Sequence, residues 1–258
     1  MIFWVASILR DEEALIANLE CLTRVDGESY YQYIGRLLAC ACDRHEVVRT
    51  KLADRLDNTL DMRIEIQDPL EGVDFFKSVF QLMFVGNYGG YREPDHHGPA
   101  TTLNASRRLY QLFKNSVLLT LLRKKLPGLC DPHDEVLFNA LAKASLNEAQ
   151  RTFIHLMAHD PHPVAAQRDL VLKAMAYCYG GRSERVTKPD ETHLLDGLFS
   201  SYFGHESKRI RNQRLDLLYQ NKSLMIQASI AFIVIFLSFM NDPGFYVKGI
   251  SARGMDPA

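Results

Sequence analysis

Residues 51–58 read KLADRLDN and set a carboxylate and an amide four positions apart, at Asp54 and Asn58. On an α-helix, residues four apart share one face, so these two side chains can line one site. A carboxylate there would help hold a divalent cation that activates water for attack on a phosphoester. His155 and His159 repeat the spacing on a second helical stretch, where both could face one metal ion. Neither pair has a completed ligand set. Surface or helix-end positions are the plainer expectation for those histidines and for Asp95-His96-His97, which falls in a loop.

A second pattern concerns charge. From His96 to Cys130 the chain has no Asp or Glu, yet it carries Arg107, Arg108, Lys114, Arg123, Lys124 and Lys125. At about 100° per residue, Arg107, Lys114 and Lys125 fall on one side of a helix, interrupted by Leu118 and Leu121. Such a face could meet phosphates, lipid headgroups or an acidic partner. The alternative is a solvated face whose cations pair elsewhere, with Arg123-Lys124-Lys125 suiting a helix C-terminus. If this is a docking face, those last three side chains must be accessible and unpaired.

The stretch from about Leu22 to Arg63 resembles the part of HD-domain phosphohydrolases that contains their last metal-binding helix. That superfamily includes the stringent-response nucleotide hydrolases. The likeness is carried by Leu22-Thr23-Arg24, Gly27-Glu28-Ser29-Tyr30 and Tyr33-Ile34, and above all by KLADRLDN. The resemblance implies that Asp54 is a metal ligand and that Asn58 lies in a nucleotide pocket. It implies a divalent cofactor of the manganese type and a nucleotide substrate. The family's earlier histidines and its His-Asp pair belong upstream of this helix. Here no histidine precedes His45, and the later ones stand in the wrong order. A catalytic metal needs several protein ligands. The implied activity is therefore a metal-dependent nucleotide phosphohydrolase whose site is incomplete in this chain alone. A truncated product, ligands from another chain and a dead site are the three ways to read that gap.

The elements that must position these residues are almost all helical. Leu15, Ile16, Leu19 and Leu22 recur at helical spacing before Asp26-Gly27. Ile34 to Ala41, His45 to Leu60 and Val73 to Val85 continue the pattern. Residues 87–99 hold glycines and prolines that resist a helix interior and mark a candidate boundary. A long helix from Leu103 to Leu126 is expected next, then shorter ones near 133–144, 146–159 and 163–178. Ser145-x-x-Glu148 reads as a capping box, and Asp131-Pro and Asp160-Pro as helix starts. Residues 63–67, RIEIQ, give the one strand candidate.

The fold expected is all-α: a partial HD-like bundle over residues 1–86, a loop at 87–99, and a helical region at 100–258 with one long, late hydrophobic helix. That helix, Ser223–Asn241, has no charge. Its length is close to what spans a bilayer, yet Gln227, Ser229 and Ser238 interrupt it, and the centre of a bundle needs the same composition. Burial of Ile230–Leu237 in a core or an oligomer interface is the expectation, and membrane insertion after a basic flank is its rival. With 47% hydrophobic and 24% charged residues the chain is globular, and a net charge of −1 gives no overall pull toward nucleic acid. Five cysteines without a CxxC pair read as reduced, buried thiols in the cytoplasm. The apolar start, MIFWVASIL, lacks a basic flank and reads as the buried face of a first helix. No P-loop, GxGxxG, GxSxG or HExxH occurs. Two other classes compete with the hydrolase: a non-enzymatic helical protein docking its basic face on an anionic surface or protein partner, and a protein anchored by helix 223–241.

Overall fold

The computed structural model describes residues 2–42, 44–62, 74–85, 104–125, 132–180, 182–188 and 192–255. As the periodicity predicts, the protein is all-α. Its helices are α1 (Ile2–Leu22), α2 (Tyr30–Cys40), α3 (His45–Leu60), α4 (Phe75–Phe80), α5 (Ala105–Lys125), α6 (Pro132–Ala158), α7 (Val164–Tyr179), α8 (Lys208–Gln220) and α9 (Lys222–Asn241). α4 continues as a π-helical turn at Gln81–Val85, and a second π-helical turn at Phe199–Phe203 precedes α8. A two-strand antiparallel hairpin, β1 (Ile250–Ser251) and β2 (Gly254–Met255), follows α9.

The core is built around α9. A helix that is apolar on every side must be covered on every side. α5, α6 and α7 all pack against it, and 72% of its most apolar stretch is buried. Within Ile230–Leu237 only Val234 and Leu237 are partly exposed. Phe232 stacks on Phe199 at 5.4 Å, and Phe239 meets Phe138 edge-on at 5.9 Å. The polar interruptions do not oppose burial because the helix satisfies them itself. Ser229 donates to the Ile226 carbonyl at 2.7 Å, and Ser238 to that of Val234 at 2.9 Å. Asn221 caps the first turn by accepting from the Leu224 N–H.

α2 starts at a true capping box. Ser29 accepts from the Gln32 N–H at 3.2 Å while Gln32 accepts from the Ser29 N–H at 2.9 Å. The end of α1 is held by Arg36, whose guanidinium donates to the carbonyls of Glu20, Cys21 and Thr23 and to both carboxylate oxygens of Glu28. These carbonyls lie at the C-terminus of α1, where a cation meets both their remaining hydrogen-bonding need and the helix dipole.

Several expectations need correction. α6 is one helix, so Ser145 and Glu148 are buried mid-helix residues and not a cap. Ser145 accepts from Asn115, and Glu148 pairs with Arg108 at 2.5 Å. Asp160 does not cap α7, which begins after Pro163; its carboxylate instead accepts from the backbone and ring of His162. The residues before and after 87–99 share one core, with α3 packed on α6 and α2 on α5. Leu15, Ile16 and Leu19 are exposed, and among the described side chains of α1 Cys21 and Leu22 reach the core; the side chains of MIFWVASIL lie outside the described residues. Phe76, Phe80 and Phe84 are exposed as well. Of the thiols described, Cys21 and Cys178 are buried but Cys42 is exposed. RIEIQ, residues 87–99, Asp131 and Cys130 lie outside the described residues.

Candidate anion and phosphoester site

α3 has two distinct sides. Val47, Val48, Leu52, Arg55 and Thr59 point into the core. Asp54 and Asn58 precede Arg55 and Thr59 by one residue each, a turn of about 100° that carries them to the outside. They do share one face, as their spacing predicts. Asn58 Nδ2 donates to Asp54 Oδ1 at 2.9 Å, and Lys51 Nζ lies 2.8 Å from Asp54 Oδ2. The pocket that the resemblance implies around them is not formed by the described residues: the Asp54 side chain is 47% exposed.

Beneath that face lies a buried polar network. Arg55 is 4% exposed and has no carboxylate partner among the described residues. Its Nε donates to Asn115 Oδ1 at 2.8 Å, and its terminal nitrogens reach the side chain and carbonyl of Gln111 at 3.3 Å. Asn115 Nδ2 donates to Thr59 at 2.9 Å and to Ser145 at 2.8 Å. One amide thus joins α3, α5 and α6. Buried polar groups are tolerated when bonded in this way.

Cations and tyrosines gather beside this network. Lys114 Nζ sits 5.2 Å from the ring centre of Tyr110, and the Arg211 guanidinium 5.1 Å from the same ring. Lys51 lies 5.1 Å from the ring centre of Tyr33. The Tyr30 hydroxyl donates to the Lys114 carbonyl at 3.2 Å. Burial is the main force on the Lys114 ammonium, and the cations Arg55, Lys51 and Arg211 add to it; together they push its pKa down to about 7, against a small opposing pull from Asp54. Burial raises the Tyr110 phenol, opposed by Arg211, Arg24 and Arg55.

The other cations of the acid-free window have partners within the fold. Arg107 pairs with Asp216 at 3.2 Å and Arg108 with Glu148. Arg123 pairs with Glu135 at 3.2 Å and lies 4.0 Å from the Phe138 ring centre. Lys124 donates to the Ile250 carbonyl at 3.0 Å and Lys125 to the Gly35 carbonyl at 3.1 Å. The window lacks acids in sequence but not in space, because α6 and α8 supply them. The condition set for a docking face, an unpaired Arg123-Lys124-Lys125, is not met.

A divalent metal fits poorly with what is present. Among the described residues, no three His, Cys, Asp or Glu side chains come together. Both Asp54 oxygens already have partners, neither of them a histidine. His45, the first residue of the same helix, lies more than two turns before Asp54. The rings of His155 and His159 are 4.6 Å apart, but His159 Nδ1 is engaged with the His155 carbonyl at 2.8 Å. Asp95-His96-His97 lies outside the described residues. No family model matches the chain, and neither does any curated protein or solved structure.

Proposed function

We propose that α3 presents one side of a phosphoester-binding site of the HD-superfamily type, with Asp54 as its carboxylate and Asn58 as the amide that meets a nucleotide. The observation that carries this reading is the placement of both residues on one exposed face of α3, with Lys51 joined to Asp54 and Lys114 nearby. The charges that chiefly act on Lys114 are three cations and a single carboxylate, Asp54, so the neighbourhood favours a polyanionic ligand. Hydrolysis would require metal donors beyond Asp54, which the described residues do not supply. Binding without turnover is therefore the behaviour proposed for this chain on its own.

The test is nucleotide binding and phosphate release with manganese present. Nucleoside di- and triphosphates should bind to the wild type, and Asn58→Ala should weaken them without altering the fold. No phosphate should be released. Turnover that disappears in Asp54→Ala would show a complete centre and overturn the incompleteness. A wild type that binds no nucleotide removes the reading altogether.

The two rival classes gain less support. The basic window is largely engaged within the fold, and α9 is the centre of the bundle.

A further inference from the structure

Lys114 differs from every other cation of the acid-free window. Among the described residues no carboxylate pairs with its ammonium and no acceptor hydrogen-bonds to it; its contact is the Tyr110 ring. Arg211 approaches the same ring from α8. It spends one terminal nitrogen on the carbonyls of His205 at 2.9 Å and Glu206 at 3.3 Å, and its Nε is buried without a partner. Lys51 and Arg55 lie close enough on α3 to disfavour a charge on Lys114. From α2, the Tyr30 hydroxyl donates to the Lys114 carbonyl and the Tyr33 ring lies against Lys51. Like charges brought together in a half-covered place destabilise each other unless an anion joins them. The chain itself offers Asp54, and Asp54 is tied to Lys51.

We propose that Lys114, Arg211 and Lys51 form a binding site for a tetrahedral oxyanion of the phosphate class, walled on one side by the ring of Tyr110. The anion supplies the acceptors that the Lys114 ammonium and the Arg211 Nε lack. A free phosphate and the phosphate tail of a nucleotide share this chemistry. The inference deepens the reading of the α3 face by saying where the phosphate sits, but it needs no metal at Asp54.

A consequence separates this site from ordinary surface attraction. The free Lys114 amine is only partly protonated near pH 7, and a bound anion favours its charged form. Binding must then take up a proton. Affinity must fall as the pH rises through and above 7, because a neutral amine holds an anion poorly. The charged groups that act on Lys114 are Arg55, Lys51, Arg211 and Asp54, and the Tyr110 ring lies against it.

The experiment is calorimetric titration of the full chain with sulfate, pyrophosphate and ADP, each in two buffers of different ionisation enthalpy. Sulfate does not titrate in this range, so its proton uptake belongs to the protein. Wild type should bind sulfate with proton uptake at pH 7.5, and its affinity should drop about tenfold between pH 6.5 and 8.5. Lys114→Gln should lose at least about tenfold in affinity along with the pH dependence. Lys114→Arg should keep the binding and lose only the pH dependence, which a folding defect would not do. Arg211→Gln should weaken all three ligands. Tighter binding of ADP than of pyrophosphate would assign the site to a nucleotide's phosphate tail, and the reverse to a free phosphate. Failure of sulfate and pyrophosphate to bind at millimolar concentration overturns the inference. Binding that ignores Lys114→Gln but is lost in Asp54→Ala also overturns it, and leaves the α3 reading standing. Sulfate binding without any ADP binding does the opposite.

Discussion

Arg55 Nε donates to Asn115 Oδ1 at 2.8 Å inside the bundle, so the residue that follows Asp54 in the motif is a fastener between α3 and α5. Asn115 also serves Thr59 and Ser145, and its loss would leave three buried groups short of a partner. Asn115→Ala should cost about 2–4 kcal/mol, well above a surface substitution. Urea denaturation measures this. A change below about 0.5 kcal/mol would mean that the network contributes nothing to stability.

Lys114 should work against the fold. Its pKa is about 7 in the folded protein and about 10.4 in the unfolded chain. Between those values the unfolded state binds more protons, so stability rises with pH across this window. Lys114→Met removes the strain and should stabilise the protein by about 1 kcal/mol at pH 6. The gain should shrink as pH climbs from 7 toward 10, and thermal melts at several pH values would reveal it. A gain of constant size would mean that packing, and not charge, is responsible.

Arg36 and Glu28 should give a pH dependence of the same direction on the acid side, but from a pair that stabilises the fold. The hydrogen bond from Arg36 is the main reason that the Glu28 carboxyl titrates below its usual range, with burial opposing it. That contribution is complete above the unfolded value of about 4.3 and fades as pH falls through the lower folded value. Arg36→Lys cannot span the three carbonyls and the carboxylate together. It should cost about 1 kcal/mol at pH 7 because the pair is partly exposed. Hydrogen exchange should show α1 loosening first, and unchanged protection there would contradict the role given to Arg36.

α9 gives the plainest test of its place. Phe232 is fully buried among other aromatic rings. Phe232→Asp buries an unpaired charge and removes a large side chain, a loss of at least about 4 kcal/mol. The variant should be recovered unfolded or aggregated, and wild type should stay in the supernatant without detergent. Recovery of the wild type only from a detergent-treated membrane pellet would return α9 to the bilayer.

The helices that could be read from the sequence are those whose signal is local. The spacing of Val47, Val48 and Leu52 fixed the inner side of α3, and the uncharged run after Lys222 marked α9. Contacts across the bundle left no such trace. Ser29-x-x-Gln32 and Ser145-x-x-Glu148 look alike in sequence, yet the first caps α2 and the second sits in the middle of α6. The difference is Asn115 and Arg108, which lie far away in the chain. In the same way the acid-free window looked like a face because its acids come from Glu135, Glu148 and Asp216. Lys114 was visible as one cation among six. What distinguishes it, the lack of a partner, is a property of the folded neighbourhood alone.

The central helix also sets an order of events. α5, α6 and α7 all leave the ribosome before α9, yet each keeps a face that α9 covers. Until synthesis has passed Asn241, those faces are open to water and to each other. Nascent chains halted before Lys222 should therefore bind a hydrophobic dye and a general chaperone strongly, and chains released beyond Met255 should not.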